Sequence, residues 1–286
     1  MLKKNSLLNK SLLNYENLFI FFLIFFPVSF IVGNLFINIS LIFLFVLFIF
    51  NFKKNKINFK DPIILLNFFL ILSLFVNLVF SINQENSFPR ILKFFVYLVL
   101  IIELKKLIVK NQNIFEKKIL KYWFWIFLLV LFDVIFEIYF GNNILGFESY
   151  YPGRIASFFN DELVVGSFFL TFSLISLNFL IQSKDYPKLL ILFYIIILIV
   201  LSFLIGERSN FIKFFISIAI FTLIVVKPKF KELFAIILIT TTIVISLAYY
   251  KSTYLSRYYQ SLNQIFIEKN LSNYLKNSQY GAHYNG

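Results

Sequence analysis

The chain has 286 residues, of which 60% are hydrophobic and only 14% charged, with 42 phenylalanines and a mean hydropathy of +0.83. Soluble domains carry roughly 25% charged residues, so this composition excludes a soluble globular protein. It has no cysteine and one histidine, which excludes disulfides, thiolate zinc sites, a cysteine nucleophile and any multi-histidine metal site.

The formal net charge of +13 does not point to nucleic acid. Its lysines lie in short polar segments between apolar runs, the pattern that sets membrane orientation, and no basic face interleaved with aromatics lies outside those runs. The apolar runs approach the length of about 20 residues needed to cross a ~30 Å hydrocarbon core. They do not alternate every second residue as barrel strands would, and backbone in lipid must bond within itself. The fold class is therefore all-α, a polytopic helical membrane protein of about nine spans.

Lys3, Lys4 and Lys10 precede a first run over Leu18–Ile31. A charged start and an apolar core resemble a signal peptide, but no small-residue cleavage site follows, so the run reads as a retained helix. The second run, about 35–52, ends in Lys53, Lys54, Lys56 and Lys60. The third, about 62–82, opens with Asp61-Pro62, proline being tolerated in a first helical turn. The fourth, about 91–104, begins with Arg90 and Lys93, ends at Glu103 and is the weakest span, with some character of an interfacial amphipathic segment. A basic stretch with Lys105, Lys106, Lys110, Lys117, Lys118 and Lys121 follows it. The fifth run is about 122–140, and the sixth to ninth are about 161–181, 189–205, 209–226 and 233–250. Residues 1–250 thus form the transmembrane domain, and 251–286 read as the start of a large outer loop.

With the N-terminus cytoplasmic, the inward segments collect most of the lysines and no arginine. The chain's four arginines, Arg90, Arg154, Arg208 and Arg257, then all fall on the outer side. Arginine offers a planar, bidentate fork to phosphate or carboxylate, where lysine is a mobile point charge. Arginines kept along one rim suit an anion held there.

The candidate site residues fall into four groups. Arg154 lies in the loop before the sixth run, with Pro152-Gly153 as a turn, Tyr150 and Tyr151 as interfacial aromatics, and Asn160 or Asp161 able to cap the next helix. Asp161 and Glu162 would repel a phosphate unless they neutralise arginine, bind a cation or orient a hydroxyl. Glu207-Arg208 sits in the tight turn Gly206–Asn210 between the seventh and eighth runs, either as an interface anchor or facing a cavity. Asp133 and Glu137 share one face of the fifth run at i, i+4, with Arg154 or Arg208 as expected partners. Arg257 and the sole histidine, His283, lie in the polar tail; as a general base His283 would need substrate within hydrogen-bond reach.

The stretch Arg154-Ile155-Ala156-Ser157-Phe158-Phe159-Asn160-Asp161-Glu162-Leu163-Val164-Val165-Gly166-Ser167 resembles the O-antigen ligase and Wzy polymerase superfamily. Members carry an arginine, a small residue, an aromatic, an Asn/Asp/Glu patch and a glycine in this order, often with glycine where this chain has Ser157. Gly206-Glu207-Arg208-Ser209 resembles the family's second arginine-bearing turn, two spans later. The resemblance implies metal-independent transfer of a glycan from undecaprenyl diphosphate to an acceptor hydroxyl, on the lipid A core for a ligase or a growing saccharide for a polymerase. It implies Arg154, Arg208 and Arg257 around the diphosphate and a loop histidine as base, with no cofactor. Members complete that loop with a later histidine-bearing segment and further spans, so against the family this chain reads as truncated within the loop. A proton-coupled transporter or lipid-linked flippase working through Asp133 and Glu137, and a non-catalytic membrane scaffold, are the competing readings.

Overall fold

The structure, a computed structural model, describes residues 2–51, 60–80, 84–149, 153–159, 164–183 and 185–250. These residues are helical apart from short connections and one isolated antiparallel bridge between Asn142 and Glu148. The helices are α1 (Leu2–Val32), α2 (Asn34–Asn51), α3 (Pro62–Val79), α4 (Gln84–Lys110), α5 (Gln112–Ile114), α6 (Leu120–Phe140), α7 (Val165–Ser183), α8 (Lys188–Leu204), α9 (Arg208–Phe221) and α10 (Phe230–Tyr250). A π turn over Phe115–Ile119 joins α5 to α6, and a second over Thr222–Val226 extends α9.

Among the described residues, five stretches are long and apolar enough to cross a membrane: Pro62–Val79, Gln112–Phe140, Val165–Ser183, Arg208–Val226 and Phe230–Leu247. Three shorter apolar stretches, Asn17–Val32, Asn34–Phe50 and Lys188–Leu204, add to them. Each of the nine anticipated runs overlaps a helix among the described residues, but length and hydropathy qualify only these five as spans. The fourth run shows why. Its helix, α4, extends well past the apolar run at both ends and carries Lys93, Glu103, Lys105 and Lys106 along its length. Much of the outer surface is apolar, for instance Leu66, Val79, Phe234 and Ile237. Such a surface is stable only against lipid or another apolar partner.

The chain divides into two compact units, Met1–Ile126 and Phe127–Gly286, with the division inside α6. In the first unit, α1 and α2 pack together across the single-residue break at Gly33, whose φ of 118° is open to glycine. Phe22 stacks on Phe43 at 3.9 Å between ring centres, tying the two helices together. Helices α2, α3 and α4 share a small core of Phe48, Ile64, Val99 and Ile102. The Asp61-Pro62 start behaves as the sequence suggests: Pro62 takes the first helical position, and the Asp61 carboxylate accepts the Ile63 N–H at 3.0 Å. The same carboxylate pairs with Lys105, fastening α3 to α4.

Pro27 sits inside α1 and brings no N–H, so the Leu23 carbonyl one turn earlier loses its helical donor. In an apolar setting that carbonyl needs a replacement. The buried indole of Trp123 in α6 supplies it, its Nε1–H donating to Leu23 O at 2.8 Å. Proline in one helix and tryptophan in another are thus one device.

In the second unit, α7 packs against α8 and α9, and α8 also meets α10. Phe169 of α7 touches both Phe127 and Phe214, with ring centres 5.3 and 5.7 Å away. Ser176 of α7 bonds Tyr194 of α8 at 2.9 Å, and Lys188 pairs with Glu232 at 2.7 Å to join α8 to α10.

The Pro27–Trp123 device is testable. Trp123→Phe leaves the Leu23 carbonyl without its donor and is expected to lower stability by about 1–2 kcal/mol, read as an earlier thermal midpoint in detergent. Pro27→Ala restores a helical donor, so the double variant should lose much less than the two single effects added together.

Candidate functional site

The loop that follows α6 is built on two acids buried in that helix. Asp133 and Glu137 are both nearly inaccessible, at 0% and 2% exposure, and all four of their carboxylate oxygens accept hydrogen bonds from the loop. Asp133 takes the Ile144 N–H at 2.8 Å and the Ser157 hydroxyl at 2.7 Å. Glu137 takes the Ala156 N–H at 3.0 Å and the Ser157 N–H at 2.5 Å. Their i, i+4 spacing places both on one face, as anticipated; Arg154 or Arg208 was the expected partner, and the oxygens instead accept from loop donors. Charge-assisted bonds of this kind are the strong ones, and a carboxylate buried without them would be very costly.

Ser157 is the focus of this arrangement. It is fully buried, and each of its polar atoms is engaged: N–H to Glu137, hydroxyl to Asp133, and carbonyl from the Asn143 side-chain amide at 2.7 Å. Its φ of 51° is in the left-handed region, where non-glycine residues are strained. The resembled family often places glycine here. Serine holds the same backbone shape by giving its hydroxyl to a buried carboxylate. Asn143 also accepts the Phe147 N–H at 2.8 Å, closing the small hairpin around Gly146.

From Ser157 the chain runs back through Ala156 and Ile155 to Arg154, and this segment docks on the turn between α8 and α9. The Ile155 N–H donates to Ile205 O at 3.2 Å. Gly206, at φ 79°, lies so close that a Cβ there would come within 2.4 Å of the Gly153 carbonyl oxygen. The two arginine-bearing motifs, two helices apart in sequence, therefore share one corner. Arg154 is half-buried with its Nε enclosed, and Arg208 is the half-buried first residue of α9.

Glu207, the N-cap residue of α9, does not act as a simple partner for Arg208. Its buried carboxylate reaches across to α7, accepting the Gly166 N–H at 3.0 Å and the Asn210 side-chain amide at 2.5 Å. Gly166 must be glycine-sized for this, because a Cβ there would meet the Glu207 carboxylate at 2.4 Å. Asn210 continues the chain to Ser167 Oγ at 3.2 Å. The starts of α7 and α9 are thereby tied together, and helix starts carry partial positive charge. The Glu207 carboxylate already lies against both starts, and Arg208 adds a guanidinium beside it.

Of the other residues singled out from sequence, Asp161, Glu162, Arg257 and His283 lie outside the described residues, as does the side chain of Arg90 in α4. Among the described residues, no three His, Cys, Asp or Glu side chains gather to hold a metal ion. The residues to which sequence reasoning gave no site role are Asn143, Ser157, Gly166, Gly206 and Asn210; the asparagines act through their side-chain amides, Ser157 through its hydroxyl and backbone, and the glycines through close approach. Only the glycines carried a signal, as small residues inside the two motifs.

No family model, curated protein or solved structure matches the chain.

Substitutions at Ser157 separate its two roles. Ser157→Ala keeps the left-handed strain and leaves Asp133 short of a donor, and should cost about 1–3 kcal/mol. Ser157→Gly loses the same hydroxyl but relieves about 1 kcal/mol of backbone strain. The expected order of thermal stability in detergent is serine, then glycine, then alanine; alanine above glycine would contradict the strain assignment.

Proposed function

We propose that this chain binds the diphosphate of an undecaprenyl-linked glycan through Arg154, Arg208 and Arg257 and belongs to the machinery that transfers that glycan to an acceptor hydroxyl. The observation that carries the reading is the corner where the Arg154 segment meets the Gly206–Arg208 turn, through the Ile155–Ile205 hydrogen bond and the glycine contact. Two guanidinium-bearing segments anchored together favour a doubly charged anion more than a single lipid phosphate.

In the reaction, the acceptor oxygen attacks the anomeric carbon of the sugar. A new C–O bond forms, the bond from that carbon to the diphosphate breaks, and its electron pair passes to the departing phosphate oxygen. Arginines aimed at that oxygen stabilise the charge as it develops, which is where catalysis gains most. The acceptor proton goes to a base, a role assigned to His283. In this reading all nine apolar runs cross a bacterial inner membrane, with the N-terminus cytoplasmic and residues 251–286 periplasmic. The acceptor is the lipid A core, as in an O-antigen ligase; a growing saccharide chain would make it a polymerase with the same donor chemistry. The proton-coupled transporter reading loses support because Asp133 and Glu137 are committed to loop donors on every oxygen.

The test is binding of undecaprenyl diphosphate to the purified chain, together with glycan transfer in membrane vesicles. Arg154→Lys and Arg208→Lys should each weaken binding by about ten-fold, since a bidentate charge-assisted contact is replaced by a point charge. Transfer should fall by on the order of 100-fold while membrane insertion is retained. Unchanged affinity and transfer in both variants would overturn the proposal.

A further inference from the structure

A second charged feature lies away from the arginine corner, where the π turn Phe115–Ile119 enters α6. The helix is two-faced at this level. Ile119, Leu120, Trp123 and Phe124 are buried, with Trp123 bonded to α1 as described. Lys117, Lys118, Lys121, Tyr122 and Trp125 are all exposed. Lys118, Lys121, Tyr122 and Trp125 recur at three- and four-residue intervals, so they form one stripe with Lys117 beside it.

The neighbouring lysines behave differently. Lys105 is paired with Asp61, and Lys106 with the buried Glu103. Lys117, Lys118 and Lys121 have no acidic partner among the described residues. The nearest acid in sequence, Glu116, accepts a hydrogen bond from Gln112 at 2.7 Å. Three unpaired cations thus lie one turn before two exposed aromatic rings at the end of an apolar helix. Tyr and Trp of this kind settle at headgroup level, where the lysines beside them meet whatever charge the leaflet carries.

From this arrangement we infer that the stripe is a binding site for anionic phospholipid headgroups. The lysines supply the charge complement, and Tyr122 and Trp125 fix the depth at which the helix rests. A basic cluster next to a membrane helix attracts anionic lipid by about 1 kcal/mol for each cation near the surface. The assignment is independent of the arginine corner, and it holds for whichever leaflet this end of α6 meets.

The chain has only two tryptophans, Trp123 buried and Trp125 exposed, which gives a direct readout. The full chain is placed in nanodiscs of phosphatidylcholine containing either brominated phosphatidylglycerol or brominated phosphatidylcholine at equal mole fraction. Brominated acyl chains quench tryptophan on contact, so Trp125 reports which lipid sits beside it. Quenching should be clearly greater with brominated phosphatidylglycerol, and the excess should fall as sodium chloride is raised. Substituting Lys117→Gln, Lys118→Gln and Lys121→Gln together should abolish the excess, whereas the three Lys→Arg changes should keep it. Equal quenching by the two lipids in the parent chain, or an excess that survives in the triple glutamine variant, would overturn the inference. The salt series on the unaltered protein decides the matter even if the triple variant folds poorly.

Discussion

Asp133 and Glu137 set the geometry on which the rest of the candidate site depends. Two carboxylates buried at one end of α6 would be very costly alone, and four hydrogen bonds from one loop make them tolerable. The dependence runs both ways. Without the acids, the N–H groups of Ile144, Ala156 and Ser157 would need other acceptors, and the loop would have no reason to lie where it does. With them, Ser157 is held in a conformation it would not adopt freely. The Arg154 segment then leaves it in the direction that meets the α8–α9 turn.

The same constraint shapes the first unit. A proline inside α1 creates an orphan carbonyl, and an indole from α6 answers it. In both places a helix interior carries something that lipid would not tolerate, and a partner distant in sequence satisfies it. The second unit repeats the theme at the start of α7, where the Gly166 N–H donates to the Glu207 carboxylate. Apolar packing of Phe, Ile and Leu fills space across these helices without specifying much. The few polar contacts select which segments meet.

Much of the fold was legible in the sequence. Long apolar runs gave the helices, Asp61-Pro62 gave the start of α3, and the charge content of the fourth run marked it as the least typical span. Boundaries were less legible: α1 and α4 continue as helix well beyond their apolar cores, because helical hydrogen bonding does not end where hydrophobicity does. In the site, the i, i+4 spacing of Asp133 and Glu137 was read correctly as one face. Their partners were not, since most of the donors are backbone N–H groups that leave no mark in a sequence. Ser157 was noticed only as a departure from glycine. Its left-handed backbone, and the hydroxyl bond that compensates for it, required the structure.

The contact between Gly206 and the Gly153 carbonyl leaves no room for a side chain. A hinge needs slack between its leaves, and here there is none. The Arg154 segment and the first turn of α9 are therefore mechanically one part. A displacement of the backbone at either arginine is carried to the other through main-chain contacts. The spacing between the bases of the two arginine side chains becomes a fixed length of the fold, and the corner works as a ruler rather than a hinge.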